Sequence, residues 1–212
     1  MKWLDRLERK MGKFYIPGLM KYLCLAMLGV FILDCLPLPR SASLLLYFSR
    51  SLILQGQVWR LITFIFLPPS GHMLWILLAL YFYYFLGTAL ESRWGSRKFN
   101  LYYLIGVLGA VAGGFITGYT TNMYLNMSLL LAFAVLYPEM EFTLFFILPV
   151  KVKWIGLLDG ALLIYQLIVQ PWAYKAALVL SLLPFLLFFG KDCYLQGKLW
   201  IRHIRFLMTT RK

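Results

Sequence analysis

Charged residues are scarce in this chain. Only 14% of its 212 residues are charged, whereas 62% are hydrophobic. A typical soluble domain has about 25% charged residues and is roughly half apolar. This much apolar surface cannot be covered inside one soluble core of this size, so the excess must face lipid. The composition excludes an ordinary soluble domain and predicts an integral membrane protein.

Cysteine and histidine are scarce too, which excludes several kinds of site. The three cysteines, Cys24, Cys35 and Cys193, are an odd number without the spacing of zinc ligands. They predict neither a disulfide framework nor a metal site, and small apolar packing residues explain them. The only histidines are His72 and His203. We predict no metal and no cofactor.

Basic residues are present in excess, with a net charge of +13. They lie in blocks beside apolar runs, which is typical of membrane topology and argues against nucleic acid as a partner. If both termini are cytoplasmic, that side holds sixteen basic residues and the opposite side four, with Lys21 at a boundary. This positive-inside bias predicts an even number of spans with both termini in the cytoplasm.

The apolar runs predict six transmembrane helices. Residues 99–138 contain no Asp, Glu, Lys or Arg. Forty helical residues would extend about 60 Å, twice the thickness of the hydrocarbon core, so this run must form a hairpin that turns within GYTTNMYLN. With the flanking segments, the predicted organisation is an amphipathic N-terminal segment, a six-helix membrane domain and a basic tail, at residues 1–20, 21–190 and 191–212.

Two stretches of the membrane domain have distinctive patterns. The segment after the first span is apolar but interrupted by Arg50, Arg60 and two prolines, which predicts interfacial or partly re-entrant helices. The third span contains GVLGAVAGGFITG, with Gly109 and Gly113 four residues apart. Small residues at this spacing allow helix backbones to approach closely in lipid, so a tightly packed helix is expected.

The block from residue 56 to residue 106 resembles the rhomboid superfamily. It has Trp59-Arg60 in the first loop, His72 before the second span, and Glu91 and Gly95 in an LExxxG turn. The stretch FFILPVKVKWIGLL also looks like the link between the fourth and fifth rhomboid spans. The resemblance implies an all-α, six-helix rhomboid-like bundle with an interfacial or re-entrant first loop.

The residues that make a rhomboid a serine protease are missing at the matching positions. Met123 stands where the family has its nucleophilic serine, and Tyr124 replaces the following glycine. The sixth span has no histidine, and Ile76 replaces the asparagine four residues after His72. A thioether has no proton to give and cannot replace an activated hydroxyl. The resemblance therefore implies an inactive branch, a pseudoprotease similar in logic to derlins. A weaker alternative is an improvised dyad of Ser128 and His72.

Polar residues inside the spans are the remaining candidates for function. Asp159 lies within the fifth span, where a carboxylate is costly and should face the bundle interior or a polar cavity. Its expected neighbours are Asn122, Tyr124 and Asn126, and Lys153 is a further candidate to lower its cost. The residues predicted to line a client-binding cavity are His72, Asn122, Tyr124, Asn126, Ser128 and Asp159. Glu91 is expected to pair with Arg93 or Arg97, and Arg60 to anchor the first loop in lipid headgroups.

Three functions remain open from the sequence. The first is a pseudoprotease that binds or handles the transmembrane helices of client proteins without cleaving them. The second is an active intramembrane serine protease with non-standard residues, and the third is a small transporter or lipid-handling protein that uses Asp159. Membrane lipids and client helices are the predicted partners, and a bacterial plasma membrane is the predicted location.

Overall fold

The computed structural model describes residues 15–37, 41–144 and 148–190, and most of these residues are helical. The helices are α1 (Leu19–Cys35), α2 (Ala42–Leu46), α3 (Arg50–Leu54), α4 (Arg60–Thr63), α5 (Met73–Trp94), α6 (Ser96–Thr117), α7 (Met123–Leu136), α8 (Val152–Val169), α9 (Trp172–Ser181) and α10 (Leu183–Gly190). A 3-10 turn at Phe64–Phe66 extends α4. The predicted N-terminal segment up to residue 14 and the basic tail from residue 191 lie outside the described residues.

Three helices are long and apolar enough to cross a membrane: α5 and α6 with 22 residues each, and α8 with 18. Helices α9 and α10 form a pair bent by 53° that counts as a fourth span if taken together. The shorter apolar helices are α1, with 17 residues, and α7, with 14. These helices agree with the prediction of a helical membrane protein. By length and composition, the described residues provide three or four spans.

A two-stranded antiparallel hairpin interrupts the helices and was not expected for an all-α protein. Strand β1 (Glu141–Leu144) pairs with β2 (Leu148–Lys151), with Glu141 opposite Lys151. Phe142 in β1 packs its ring edge-on against Phe82 and Phe85 of α5, with centroids 5.2 and 5.3 Å away. The Phe142 ring also lies 5.9 Å from that of Phe133 in α7, so the hairpin packs against both α5 and α7.

Glycines with positive φ mark the two sharp reversals beside α6. Gly95, with φ of 82°, separates α5 from α6 in the predicted LExxxG turn. Gly118, with φ of 87°, ends α6, and its N–H donates to the carbonyl oxygen of Gly114 at 2.8 Å. Side chains other than hydrogen disfavour this backbone region. The predicted turn in the charge-free run is confirmed, because α6 ends at Thr117 and α7 begins at Met123.

The predicted tight packing of the glycine-rich helix is also confirmed. Helix α6 packs against α9 so closely that a Cβ atom at Gly109 would collide with the carbonyl oxygen of Leu180. A Cβ at Gly113 would lie 2.8 Å from the Cα of Ala177. In lipid, where the hydrophobic effect does not drive helices together, such backbone contact is a main source of helix association.

Contacts between helix termini define two ends of the bundle. At the end we call end A, the Gly18 N–H donates to the Glu91 carboxylate, and Trp94 packs against Phe189. At the opposite end, end B, the Arg50 N–H donates to the carbonyl oxygen of Gly118, and the Asn122 amide to that of Leu67.

Candidate functional site

Met123 occupies the position that the rhomboid resemblance assigns to a nucleophile, and it lies at the exposed start of α7. Its side chain is 52% exposed. The neighbouring Tyr124 hydroxyl donates a hydrogen bond of 2.9 Å to Oε1 of Gln166 and so connects α7 to α8. The site therefore presents a thioether and a phenol, and neither provides an activated hydroxyl nucleophile.

The alternative pair, Ser128 and His72, is not brought together. Ser128 is fully buried, and its hydroxyl donates to the carbonyl oxygen of Leu125 at 2.7 Å within the same helix. His72 is exposed and lies just before the first turn of α5, at end B. A general base must be within hydrogen-bond reach of the hydroxyl that it activates. No hydrogen bond joins these two side chains in the described part of the chain.

Asn122 and Asn126 face different neighbourhoods, although the sequence places them one turn apart. The Asn122 amide donates to the carbonyl oxygens of Ile65 and Leu67, at 3.2 and 2.9 Å, and so fixes the first loop to the start of α7. Asn126 is buried, and its Oδ1 atom has no hydrogen-bond partner. Among the described residues, no hydrogen bond joins either asparagine to Asp159.

Asp159 lies on the buried stripe of α8, with Val152, Gly156 and Leu163 on the same face. It is 5% exposed, and its Oδ2 atom has no hydrogen-bond partner. Nearby on this helix, Gly156 and Gly160 lie against Ala134 and Leu131 of α7. Asp159 therefore faces the bundle interior.

Lys153 interacts with Glu139 instead of Asp159. Its Nζ atom lies 2.8 Å from one Glu139 carboxylate oxygen, and Lys151 Nζ lies 2.9 Å from the other. Hydrogen bonds from Lys153 and Lys151, and their positive charges, lower the pKa of Glu139 from its ordinary 4.5 to about 2. The three charges link the base of the hairpin to the start of α8 at end A.

Arg60 lies inside the first loop, and the prediction that it reaches headgroups is wrong. It is 3% exposed, and its guanidinium donates to the carbonyl oxygens of Tyr47 and Leu44 and to the Gln57 side chain. The planar, five-donor guanidinium can satisfy several backbone acceptors at once, which explains its burial. Trp59 remains 51% exposed and can face lipid.

Glu91 also has a different partner from the one predicted. Its carboxylate accepts a hydrogen bond of 2.8 Å from the Gly18 N–H, whereas Arg97 lies over the ring of Tyr15. No ion pair joins Glu91 to Arg93 or Arg97 among the described residues. Asn100, which the sequence did not single out, binds both the N–H and the carbonyl of Ile16. Glu91 and Asn100 together hold residues 16–18 against end A.

A second polar cluster was missed by the sequence because its members come from four helices. The Tyr83 hydroxyl interacts with the Asn126 side chain, and Tyr103 lies close enough to Tyr83 and Cys24 to interact electrostatically. The Cys24 thiol donates to the carbonyl oxygen of Leu80. Tyrosines are frequent lipid-facing residues near membrane surfaces, so only the fold could identify these two as interior.

The short helix α7 lies between two helices that pack poorly against each other. Helices α5 and α8 each pack against α7, yet make at most marginal backbone contact with one another. Met127 and Leu130 of α7 are only partly buried, and Met123 is exposed. The gap between α5 and α8, with these three α7 residues in it, is called the lateral opening below.

The fold defines a helical bundle with three helices suited to crossing a membrane. A scan against protein-family models finds no match to the chain, and a search of curated proteins finds no match either.

Proposed function

We propose that this chain is a six-pass, rhomboid-like membrane protein that binds the transmembrane helices of client proteins at the lateral opening without cleaving them. The observation that carries this proposal is the exposed apolar surface of α7 between α5 and α8. Within a bilayer, helices associate by side-chain packing and interhelical hydrogen bonds. An opening that is lined by methionine and leucine suits a partner helix, because flexible thioethers adapt to different apolar surfaces.

The topology in this proposal takes α1, α5, α6, α7, α8 and the bent α9–α10 pair as six passes between end A and end B. Helix α1 has 17 residues, within the range of about 17–25 that a span requires. Helix α7 is too short to span a full bilayer, but it packs against α5, α6 and α8, so its ends need not reach bulk water on both sides. The basic residues of the α5–α6 turn and of β2 lie at end A. Because basic residues are enriched on the cytoplasmic side, we assign end A and both termini to the cytoplasm. An anionic cytoplasmic face such as that of a bacterial plasma membrane fits this distribution.

Single-cysteine labelling tests the topology. In a variant without Cys24, Cys35 and Cys193, we expect a membrane-impermeant maleimide to label Tyr119→Cys at end B in intact cells. Ser92→Cys at end A should be labelled only after permeabilisation. Labelling of both positions from outside, or the reverse order, would contradict the assignment.

The absence of cleavage is proposed from the environment of the three candidate residues. Met123 lacks an acidic proton, Ser128 is buried in a hydrogen bond to its own helix, and His72 is exposed at end B. Nucleophile, base and oxyanion donors must act together, and losing one of them removes most of the rate enhancement.

Site-specific crosslinking tests client binding. A photoreactive amino acid replaces Met123 in the lateral opening or Leu108 on α6, two side chains of similar exposure at 52% and 60%. We expect transmembrane proteins to crosslink several-fold more strongly at position 123 than at position 108. Equal crosslinking at both positions would mean random lipid-phase encounters and would contradict the proposal.

A transporter remains the second candidate, because the unpartnered Oδ2 atom of Asp159 is costly in the bundle interior. The same crosslinking assay separates the two functions. For a client-binding protein, Asp159→Asn should leave crosslinking at position 123 unchanged. For a transporter, the substitution should abolish transport in proteoliposomes, and position 123 should show no preference for protein clients.

A further inference from the structure

Asp159 is the only acidic side chain that is buried among the described residues. Its Oδ2 atom has no hydrogen-bond partner there. An ionised carboxylate without a partner is far more costly in apolar surroundings than the neutral acid, and such a group usually takes up a proton. The protonation state of Asp159 therefore depends on the charges that face it.

The cations at the start of α8 are already neutralised by another acid. Helix α8 packs against β2, α7 and α9. Lys151 of β2 and Lys153 of α8 both lie within 2.9 Å of the Glu139 carboxylate. The other titratable group of α8, Tyr165, is exposed on the outer face of the helix. None of these groups forms an ion pair with Asp159.

Helices α7 and α9 provide no cation for Asp159 either. Helix α7 contains no Asp, Glu, Lys or Arg, and its one titratable group, the Tyr124 hydroxyl, donates to Gln166. In α9 the titratable residues are Tyr174, which is exposed, and Lys175, and both lie in the first turn at end B. Asp159 lies ten residues before the end of α8, which is about 15 Å from end B.

Close packing of α8 on α7 surrounds Asp159 with apolar groups. A Cβ atom at Gly156 would lie 2.3 Å from the Ala134 Cβ, and one at Gly160 would lie 3.8 Å from a Leu131 methyl group. These contacts flank Asp159 on both sides along the helix. The carboxyl group therefore lies at an apolar helix contact that provides no charge to balance it.

We infer that Asp159 is a proton-binding site, and that its carboxyl group is the neutral acid while α8 packs against α7. Ionisation would place an unpaired charge at this contact, so loss of the proton weakens it. Because α8 borders the lateral opening, the proton stabilises one side of that opening. This proton site does not depend on whether the opening binds client helices.

Infrared difference spectroscopy detects the proton directly. At about pH 5.5 an ordinary aspartate, with a pKa of about 3.9, is ionised. The full-length protein in lipid vesicles should nevertheless show the carbonyl stretching band of a protonated carboxyl group, and Asp159→Asn should remove it. Asp34→Asn is the matched control and should leave the band in place, because the Asp34 carboxylate accepts two hydrogen bonds from Ser43. Identical spectra of the wild-type protein and Asp159→Asn would overturn the site.

The pH dependence of stability gives a second readout. Above about pH 4 the unfolded chain has an ionised Asp159, so the folded protein binds one proton more, and its stability falls as the pH rises. Between pH 5 and pH 8 we expect the Tm of the wild-type protein in detergent to fall by about 5 °C relative to Asp159→Asn.

Asp34→Asn should have the same pH dependence as the wild-type protein over this range. A Tm difference between the wild-type protein and Asp159→Asn that does not change with pH would overturn the site. A wild-type protein that gains stability relative to the variant as the pH rises would overturn it too, because Asp159 would then be an ionised group with a partner. If Asp159→Asn does not fold, Asp159→Leu replaces it in both experiments.

Discussion

Helices α6 and α8 are both apolar and long enough to cross a membrane, yet they are packed very differently. In α6, 56% of the most apolar 18-residue stretch is buried inside the protein, whereas in α8 the buried share is 22%. Helix α6 lies in backbone contact with α9 through Gly109 and Gly113, while α8 contacts α7 through a narrow stripe in which Gly156 lies against the Ala134 side chain. Because lipid solvates apolar side chains as well as protein does, close packing of the kind seen between α6 and α9 is a main source of rigidity in a helix pair. The bundle therefore has a rigid side at α6 and α9, and an accessible side at α7 and α8.

The largest expected effect comes from breaking the rigid side. Gly109→Leu places a side chain against the backbone of Leu180, and that carbonyl cannot move aside without displacing α9. We expect a loss of about 3 kcal/mol or more in the free energy of unfolding, measured by thermal unfolding in detergent. Gly29→Ala in α1 is the control, since a Cβ there meets nothing within 4 Å. If Gly109→Leu were as stable as this control, the close α6–α9 contact would be wrong.

A smaller loss is expected in the first loop, which covers end B. Arg60→Met preserves the apolar stem but leaves the carbonyl oxygens of Tyr47 and Leu44 without their donor. We expect a destabilisation of about 2 kcal/mol and faster proteolysis within residues 41–67. Arg50→Met, on an exposed side chain of the same loop, should cost less. If Arg60 anchored the loop in lipid headgroups instead, Arg50→Met would cost more stability than Arg60→Met.

On the accessible side, replacing Asp159 should increase the stability of the protein, unlike the two substitutions above. Replacing a buried carboxylate oxygen that lacks a partner removes a desolvation cost, so Asp159→Leu should stabilise the protein by about 1 kcal/mol. Asp34 is the matched acid, because its carboxylate accepts from both the N–H and the hydroxyl of Ser43. Asp34→Leu should therefore destabilise. A large loss of stability in Asp159→Leu would show that Asp159 has a partner.

The smallest effect is expected at the hairpin that links α7 to α8. The lowered pKa of Glu139 means that its stabilising contribution is present above pH 4.5 and disappears as the pH falls towards 2. The Tm of the wild-type protein should slightly exceed that of Glu139→Gln at pH 7, and the difference should vanish near pH 2. Because these charges are exposed, high salt should shrink the difference at neutral pH as well. A difference that grows on acidification would contradict the assignment.

Sequence predicted the features that depend on local pattern. The charge-free run of residues 99–138 and Gly118 predict the α6–α7 turn, and the spacing of Gly109 and Gly113 predicts a close helix contact. These signals are local because the thickness of lipid and the size of a side chain act on each segment separately. The sequence also indicated that Asp159 faces the interior, since a carboxylate in a span must avoid lipid.

Partners between distant segments could not be predicted in the same way. Arg60 binds carbonyl oxygens of Leu44 and Tyr47, and Asn100 binds Ile16, 84 residues away. Backbone carbonyls carry no residue-specific signal, so the sequence suggested charged neighbours instead. Tyr103 could not be distinguished from a lipid-facing tyrosine until α6 and α7 were packed together. Interior polar sites of this kind depend on helix order and rotation, which side-chain composition does not encode.

The central claim, a rhomboid-like scaffold without serine protease chemistry, is tested most directly with a fluorophosphonate serine probe. The purified protein is treated beside its Ser128→Ala variant and beside an active rhomboid protease as positive control. We predict labelling of the control alone. Labelling of the wild-type chain that disappears in Ser128→Ala would contradict the claim, and would show that Ser128 leaves its hydrogen bond to Leu125 and finds a base.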